Sequence, residues 1–480
     1  MAKMTQKSSR IGAYLGAACV GLLAGACVPS LNGNEPREPN TKLPATFGER
    51  EGPRTIATTA WSTLFTSADL RVLVDDALEN NRELSSQLQE IIIARNEVTA
   101  QKGEYLPRLG AGAGAGVEKV GKYTSQGASD EAHGLPENLG DFRFGLTGSW
   151  EIDVWKKLRN AAKAATLHYL ATVEGRNWMM TQIVAEMARS YYELIALDNQ
   201  LEILNRNIEI QASALEIVKL QKIAARVTEL AVQRFEAEVQ KNKSRLYEIQ
   251  QERVQAENRI NFLVGRLPRP VARNVADFTA PLPNVIQSGL PAQLLENRPD
   301  LRQATLELEA AKLDAKSAKA AFYPSLSIDA EVGYRSFNAR HLMTTPESLI
   351  YGLAGSLTAP LLNRAAITAE YRSANARQVQ AVLNYEKTLL QAFTDVVNQL
   401  AKIDNLKKVY ELQAQQVDTL ARSVDVSNTL FQSARADYME VLLTRRDSLE
   451  AQMELIETKK RQFHALVDIY QALGGGWRRI

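Results

Sequence analysis

Ser325-Leu326-Ser327-Ile328-Asp329-Ala330-Glu331-Val332-Gly333-Tyr334-Arg335 alternates in polarity. Leu326, Ile328, Ala330, Val332 and Tyr334 fall on one side of an extended chain, and Ser325, Ser327, Asp329, Glu331 and Arg335 on the other. That period of two predicts a half-buried strand. Leu349, Tyr351, Leu353 and Leu357 repeat the pattern downstream. Upstream, Phe142, Phe144, Leu146, Trp150 and Ile152 oppose Arg143, Thr147, Ser149, Glu151 and Asp153. The stretch 109–117 alternates more weakly, Ala with Gly. Two hairpins follow, at about 105–153 and 322–358. Taken singly, each fits a soluble hairpin on a core as well as a membrane strand pair, whose signal is weak per segment.

After each hairpin the grammar changes. From Trp155 to Val264 there is no Pro and one Gly, Gly175; from Leu361 to Leu473 there is neither. Ordinary helices run about 11–12 residues. Leu194, Leu201, Ile208 and Leu215 mark one heptad seam; Leu197, Leu204 and Val218 mark another, interrupted by Gln211. One unbroken helix over the first stretch would be about 165 Å long, so each stretch must fold back once. The segments at Ala225-Arg226 and Ala434-Arg435 are the expected turns, leaving an outward arm of about 100 Å.

The body repeats itself. Tyr105-Leu106-Pro107-Arg108-Leu109 answers Phe322-Tyr323-Pro324-Ser325-Leu326, and Phe144-Gly145-Leu146-Thr147-Gly148-Ser149 answers Tyr351-Gly352-Leu353-Ala354-Gly355-Ser356. Ala225-Arg226-Val227 answers Ala434-Arg435-Ala436, and Leu263-Val264-Gly265 answers Ala472-Leu473-Gly474. Four ordered matches predict an internal duplication, 61–270 and 271–477. The first hairpin loop is the longer.

Composition excludes several function classes. A net charge of +2 over 480 residues provides no basic field for nucleic acid. His133, His168, His341 and His464 stand singly, without ligand-like spacing, and read as surface or packing residues. No nucleophile–base pair, phosphate loop or metal cluster is visible, so neither enzyme activity, a cofactor nor a metal is expected.

Lys3, Lys7 and Arg10 precede an apolar run from Ile11 to Ala26, a signal peptide by its charge and length. It ends Leu22-Leu23-Ala24-Gly25-Ala26-Cys27, which resembles a bacterial lipoprotein box. That implies cleavage after residue 26, acylation of Cys27 and a Pro-rich tether over 27–60. Val28 rather than Asp follows, which in the sorting pattern favours the outer membrane. Cys19 lies in the removed segment, so no disulfide is expected. No later apolar run reaches about 18 residues, so a crossing of the membrane requires a closed barrel. Four strands cannot close alone, since the smallest single-chain barrels use about eight. Copies must therefore pool strands. Physics leaves two, three or four copies open, and a polar inner face makes the result a wet conduit.

Further blocks carry a family resemblance. Trp150-Glu151-Ile152-Asp153-Val154-Trp155-Lys156-Lys157-Leu158-Arg159, the run Leu290-Pro291-Ala292-Gln293-Leu294-Leu295-Glu296-Asn297-Arg298-Pro299-Asp300-Leu301-Arg302-Gln303-Ala304, Ala320-Ala321-Phe322-Tyr323-Pro324-Ser325-Leu326 and Ala472-Leu473-Gly474-Gly475-Gly476-Trp477 resemble the blocks of TolC-like outer-membrane factors. With the lipobox they resemble the lipoprotein branch that serves resistance-nodulation-division efflux systems. The resemblance implies a mixed α and β outer-membrane protein. In it a homotrimer builds a twelve-stranded β-barrel, four strands per chain, continued by a twelve-helix periplasmic α-barrel. It also implies a periplasmic adaptor and an inner-membrane pump as partners. A type I protein-secretion duct shares that architecture, and a pore-less periplasmic coiled-coil lipoprotein is the structural alternative.

The same resemblance locates a gate. The family's second turn carries an inward Leu and, one turn on, an inward Asp. Here Met439 takes the Leu place and Leu443 the Asp place. These are i, i+4 on one face, which suggests stacked apolar rings that block ions by dewetting. Glu440 restores an acidic lining if the register differs, and inter-helix packing is the plainer role for the pair. Arg226 and Thr228 in the first turn, and Arg435 and Asp437 in the second, are the expected adaptor contacts or ion-pairing turn residues.

Overall fold

The computed structural model describes residues 28–31, 35–47, 54–279, 287–433 and 435–478. The signal peptide, Cys27 and Ala434 lie outside the described residues. In chain order the main elements are α1 (Ala68–Asn80), α2 (Arg82–Glu104), β1 (Arg108–Glu118), α3 (Ser125–Ala132), β2 (Leu139–Ile152), α4 (Lys157–Ile223) and α5 (Glu229–Leu263). Then come α6 (Pro299–Ala320), β3 (Ser325–Ser336), β4 (Leu349–Thr358), α7 (Ala365–Gln432) and α8 (Tyr438–Ala472). Both long stretches break once. α4 and α5 have 67 and 35 residues, α7 and α8 have 68 and 35. α4 alone is about 100 Å long.

The chain divides into two compact units. One comprises Ile91–Ala171, Thr305–Asn384 and the described residues up to Pro39. It holds a four-stranded antiparallel sheet in the order β1-β2-β3-β4. Its register aligns side chains by polarity. Trp150 pairs with Ile328, Leu146 with Val332 and Phe144 with Tyr334; Ala330 pairs with Leu353 and Val332 with Tyr351. The opposite face pairs Thr147 with Glu331 and Ser149 with Asp329. In β1 the weak Ala/Gly alternation resolves. Leu109, Ala111, Ala113, Ala115 and Val117 join the apolar face, while the glycines fall opposite Thr147, Gly145, Arg143 and Asp141 on the polar one. The long first loop carries an unforeseen helix, α3, capped by Thr124 accepting from Gly127 N at 3.1 Å.

The block around Trp155 forms the passage from strand to helix. Asp153 accepts from the amides of Leu158 (3.2 Å) and Arg159 (2.9 Å), satisfying the first turn of α4. The Trp155 indole donates to Pro324 O at 2.8 Å and packs on Tyr323 with ring centroids 4.9 Å apart. Lys156 (φ 61°) and Asn363 (φ 51°) take left-handed backbone at corresponding entries to α4 and α7.

The second unit comprises Asn40–Glu90, Thr172–Ala304 and Tyr385–Ile480. One core cluster packs Trp61, Phe65, Leu70 and Val74 against Tyr191, Leu194, Ile195, Ile260 and Tyr470. Another joins Leu294 and Leu301 to Leu389, Val396, Ile469 and Leu473. Arg298 is buried, yet fully engaged. It pairs with Asp300 at 2.6 Å, donates to Ala472 O at 2.9 Å and lies 5.1 Å over the Trp178 ring. The Trp477 indole donates to Asn297 O at 3.1 Å. The Arg-Pro-Asp block and the C-terminal Gly-Gly-Gly-Trp block are therefore two sides of one contact.

Glycine is obligatory there. Gly474 has φ +88°, and a Cβ on it would stand 2.5 Å from Asn297 O. Gly265 (φ +74°) meets Asn80 O in the same way at 2.5 Å. We expect Gly474→Ala to lose about 2 kcal/mol or more of stability. Gly103→Ala, in open space on α2, should be neutral or slightly stabilising. Thermal unfolding of the detergent-solubilised protein checks both, and equal effects would refute the steric account.

Candidate functional site

The two helical turns are built alike. After α4, Ala225 N donates to Lys222 O and Arg226 N to Gln221 O, both at 2.9 Å. These are the paired bonds of a Schellman stop. Ala225 occupies its left-handed position with φ 55°, where glycine carries no steric penalty. After α7, Arg435 N repeats the longer bond to Leu430 O at 2.8 Å. Thr228 and Asp437 are the N-caps of α5 and α8, and neither side chain caps its helix. Both are exposed, as are Arg226 and Arg435. Lys222 and Glu229 form an ion pair across the first turn.

Behind the turns, Leu215, Val218, Val232 and Phe235 pack with Leu442 of α8. A second cluster further along holds Leu201, Leu204, Ile249, Leu449 and Met453. Between them Gln211, which interrupts the heptad, accepts from the Asn242 amide at 2.7 Å, and both residues are buried. On α8, Val441 and Leu442 face the core. Leu443 is 40% exposed, Glu440 is exposed and Met439 half-buried. The structure thus separates Leu443 from the packed face of its own chain. It also adds a neighbour that the sequence did not reveal: Arg234 Nη1 donates to Met439 Sδ at 3.3 Å. A cation adjoins the expected gate because Arg234, six residues into α5, comes level with the start of α8. Only the hairpin alignment shows this.

A profile of outer membrane efflux proteins matches residues 73–266 and 290–475. The chain belongs to the outer membrane efflux protein family. It is similar to the pyoverdine export outer membrane protein OpmQ of Pseudomonas aeruginosa, with 27% identity over 418 residues and 87% of each chain covered. The probable outer membrane lipoprotein SilC of Salmonella typhimurium is 26% identical over 423 residues, covering 87% of this chain and 88% of its own. Among solved structures, the open state of the MtrE outer membrane channel of Neisseria gonorrhoeae superposes with a TM-score of 0.80 at 23% identity. That match covers 94% of this chain and 99% of the other, and it shows the shared fold.

This efflux protein also carries a charge clamp that sequence spacing hid. His168 of α4 bonds Glu307 (2.8 Å) and Asp314 (3.3 Å), both on α6. Hydrogen bonds to Asp314 and then Glu307 hold the proton on the imidazole, and its pKa is pushed up to about 10. The two carboxylates sit seven residues apart on one helix face, a signal visible only once the partner helix is known. Among the described residues no three His, Cys, Asp or Glu side chains converge as a metal site. No described helix is long and apolar enough to cross a membrane.

Ala225→Gly should stabilise the turn by about 1 kcal/mol or less, the left-handed penalty minus glycine's greater unfolded-state entropy. Amide exchange at residues 222–230 reads this, and faster exchange would refute it. His168→Asn should destabilise by about 1 kcal/mol or less, since the clamp is partly exposed. A pKa raised in the folded state stabilises fully below about 6.5, and that stability is lost as pH rises through about 10. The difference in Tm between wild type and variant should accordingly shrink in alkali, and a difference that grows would contradict the clamp.

Proposed function

We propose that three copies of this chain close a twelve-stranded barrel in the outer membrane and continue it as a twelve-helix periplasmic tunnel. On this reading the assembly is the passive exit duct of a tripartite efflux system. The observation that carries it is the open sheet. Among the described residues each of β1 and β4 pairs on one edge only. Among the described residues nothing covers the apolar face: Leu109 is 86%, Tyr351 83% and Leu353 79% exposed. In lipid the apolar face is satisfied and the edges are not, so pairing β4 with β1 of a neighbouring copy completes the structure. The polar face then lines the lumen.

The helices support the same assembly. Leu383, Leu390 and Val397 recur every seven residues on α7 and are 53%, 68% and 37% exposed. That is a coiled-coil seam without a partner among the described residues. Matching helix lengths and the paired Gly265–Asn80 and Gly474–Asn297 approaches support the duplication into 61–270 and 271–477. The number three is the family's. A lipid anchor at Cys27 draws on the lipobox and on the likeness to SilC, described as a lipoprotein. An adaptor and an inner-membrane pump complete the system. Met439 and Leu443 line the closed tip beside Glu440, and Arg226, Thr228, Arg435 and Asp437 meet the adaptor.

Purified protein in planar bilayers should conduct ions and run as a trimer. A monomer without conductance would sink the reading in favour of a pore-less coiled-coil lipoprotein. Leu443→Ser should raise closed-state conductance and vancomycin entry several-fold, and unchanged values would remove the apolar gate. Reversing Arg226 and Arg435 together to Glu should abolish adaptor cross-linking while leaving conductance intact.

A further inference from the structure

We infer that β4 of a neighbouring copy seats on β1 in one register, with Leu353 opposite Ala115, Tyr351 opposite Val117 and Leu357 opposite Ala111; it rests on the barrel reading above. The internal repeat supplies the template. β2 and β3 belong to different repeats, and β4 meets the next copy's β1 as β2 meets β3. On β2, Phe144, Leu146 and Trp150 answer Tyr351, Leu353 and Leu357 of β4. On β3, Tyr334, Val332 and Ile328 answer Val117, Ala115 and Ala111 of β1, counted on from the match of Leu326 with Leu109. Within the chain Phe144 pairs with Tyr334, Leu146 with Val332 and Trp150 with Ile328. Carrying each pair to its counterparts gives the three pairs between copies.

Barrel closure restricts the register independently. From Ala111 the ladder passes to Leu146, Val332 and Tyr351 and then, in this register, to Val117 of the next copy. With a rise of about 3.3 Å per residue and strands about 4.8 Å apart, that advance tilts twelve strands by about 46°. Membrane barrels tilt theirs by about 35–45°, so this lies at the upper end. A shift by one residue would turn the apolar face inward. Shifts by two would tilt the strands by about 35° or about 54°. The steeper is too steep, and the shallower sets Leu353 opposite Ala113 and loses the repeat. A slip of that size is physically available, because the hairpins themselves differ by it. Arg108 faces Ser149, whereas Ser325 faces Thr358 instead of the answering Ser356. Side-chain bulk suits the seam. Between Leu109 and Val117, β1 carries only Ala and Gly, so the large side chains of β4 lie beside a shallow strand, large against small. On the other face Gly352, Ala354 and Ser356 come opposite Gly116, Gly114 and Gly112. No bulky group there bars the approach of the two backbones.

Paired cysteines read the register directly. Leu353→Cys is combined in the full chain with Ala115→Cys, Ala113→Cys or Val117→Cys, and the purified protein is oxidised with copper phenanthroline. β1 and β4 lie at opposite edges of one chain's sheet, so a disulfide between them joins two copies. Directly opposed residues have Cβ atoms about 4.5–5.5 Å apart, against about 3.5–4.5 Å in a disulfide. A short bis-thiol cross-linker therefore repeats the comparison without the disulfide's geometric demand. Leu353→Cys with Ala115→Cys should form covalent dimers and trimers on denaturing gels in several-fold greater yield than either other pair. Wild type, with the same Cys27, sets the background. Current in planar bilayers shows that each variant has folded. A greater yield with Ala113→Cys or Val117→Cys would overturn this register and leave the barrel standing. Conducting variants with no cross-link above background in any pair would overturn the β4–β1 seam itself. Absence of any wild-type current would overturn the barrel reading and the seam with it.

Discussion

The unpaired edge of a β-strand is the constraint from which the rest follows. Each edge presents a row of N–H and C=O groups that must find partners, and in hydrocarbon each unmet group costs several kcal/mol. A four-stranded sheet has two such edges whatever its side chains do. Here the sheet also exposes a continuous apolar face, from Leu109 and Val117 to Tyr351 and Leu353. That combination is unstable in water and incomplete in lipid. Pooling strands with copies satisfies edges and face together. On the proposed barrel reading, oligomerisation is a condition of the membrane-embedded fold, with no need of a separate dimerisation patch.

The helices inherit that condition. The 68 residues of α7 do not all find cover within one chain. The heptad stripe of α7 at Leu383, Leu390 and Val397 remains outward when the chain is taken alone. Within the hairpin, by contrast, the seam is filled except at Gln211 and Asn242. A buried amide pair offers less stabilisation than leucines, but it permits one alignment of two long helices that would otherwise slide by a heptad. Register matters here because the turns must arrive level for Met439 to meet Arg234.

How much of this was legible in the sequence depends on the range of the interaction. Period-two alternation marked β2, β3 and β4, because each has one polar and one apolar face. β1 was fainter, since its polar-face positions are glycine; the reason lies on β2, where Arg143 and Thr147 need the room. The helices were read from missing Pro, and Ala225 from its repeat. Contacts between elements were not legible. His168 looked like an isolated histidine because Glu307 and Asp314 lie well over a hundred positions away. Arg298 stood out only as part of a block. Its purpose, holding the start of α6 against Ala472, is a matter of three-dimensional packing. The helix α3 was hidden because Ser, Gly and Asp make up half of it, and its one start signal is the N-cap Thr124.

The helical tip depends on both its own packing and its copies. Its core is small, seven buried apolar side chains set apart from the next cluster by the Gln211–Asn242 pair. Its turn carries the left-handed penalty of Ala225, which glycine would remove. Both features lower the free energy needed to part the tips relative to the seams behind them. An opposing term must hold such a tip shut, and on the proposed reading it comes from Leu443. Being 40% exposed in its own chain, Leu443 has apolar surface left to bury against its copies. Burial of that kind is lost all at once when the rings separate and is insensitive to salt. On the proposed reading, closure of the duct depends on contacts between chains, and opening requires only that an outside partner compete for the same few residues.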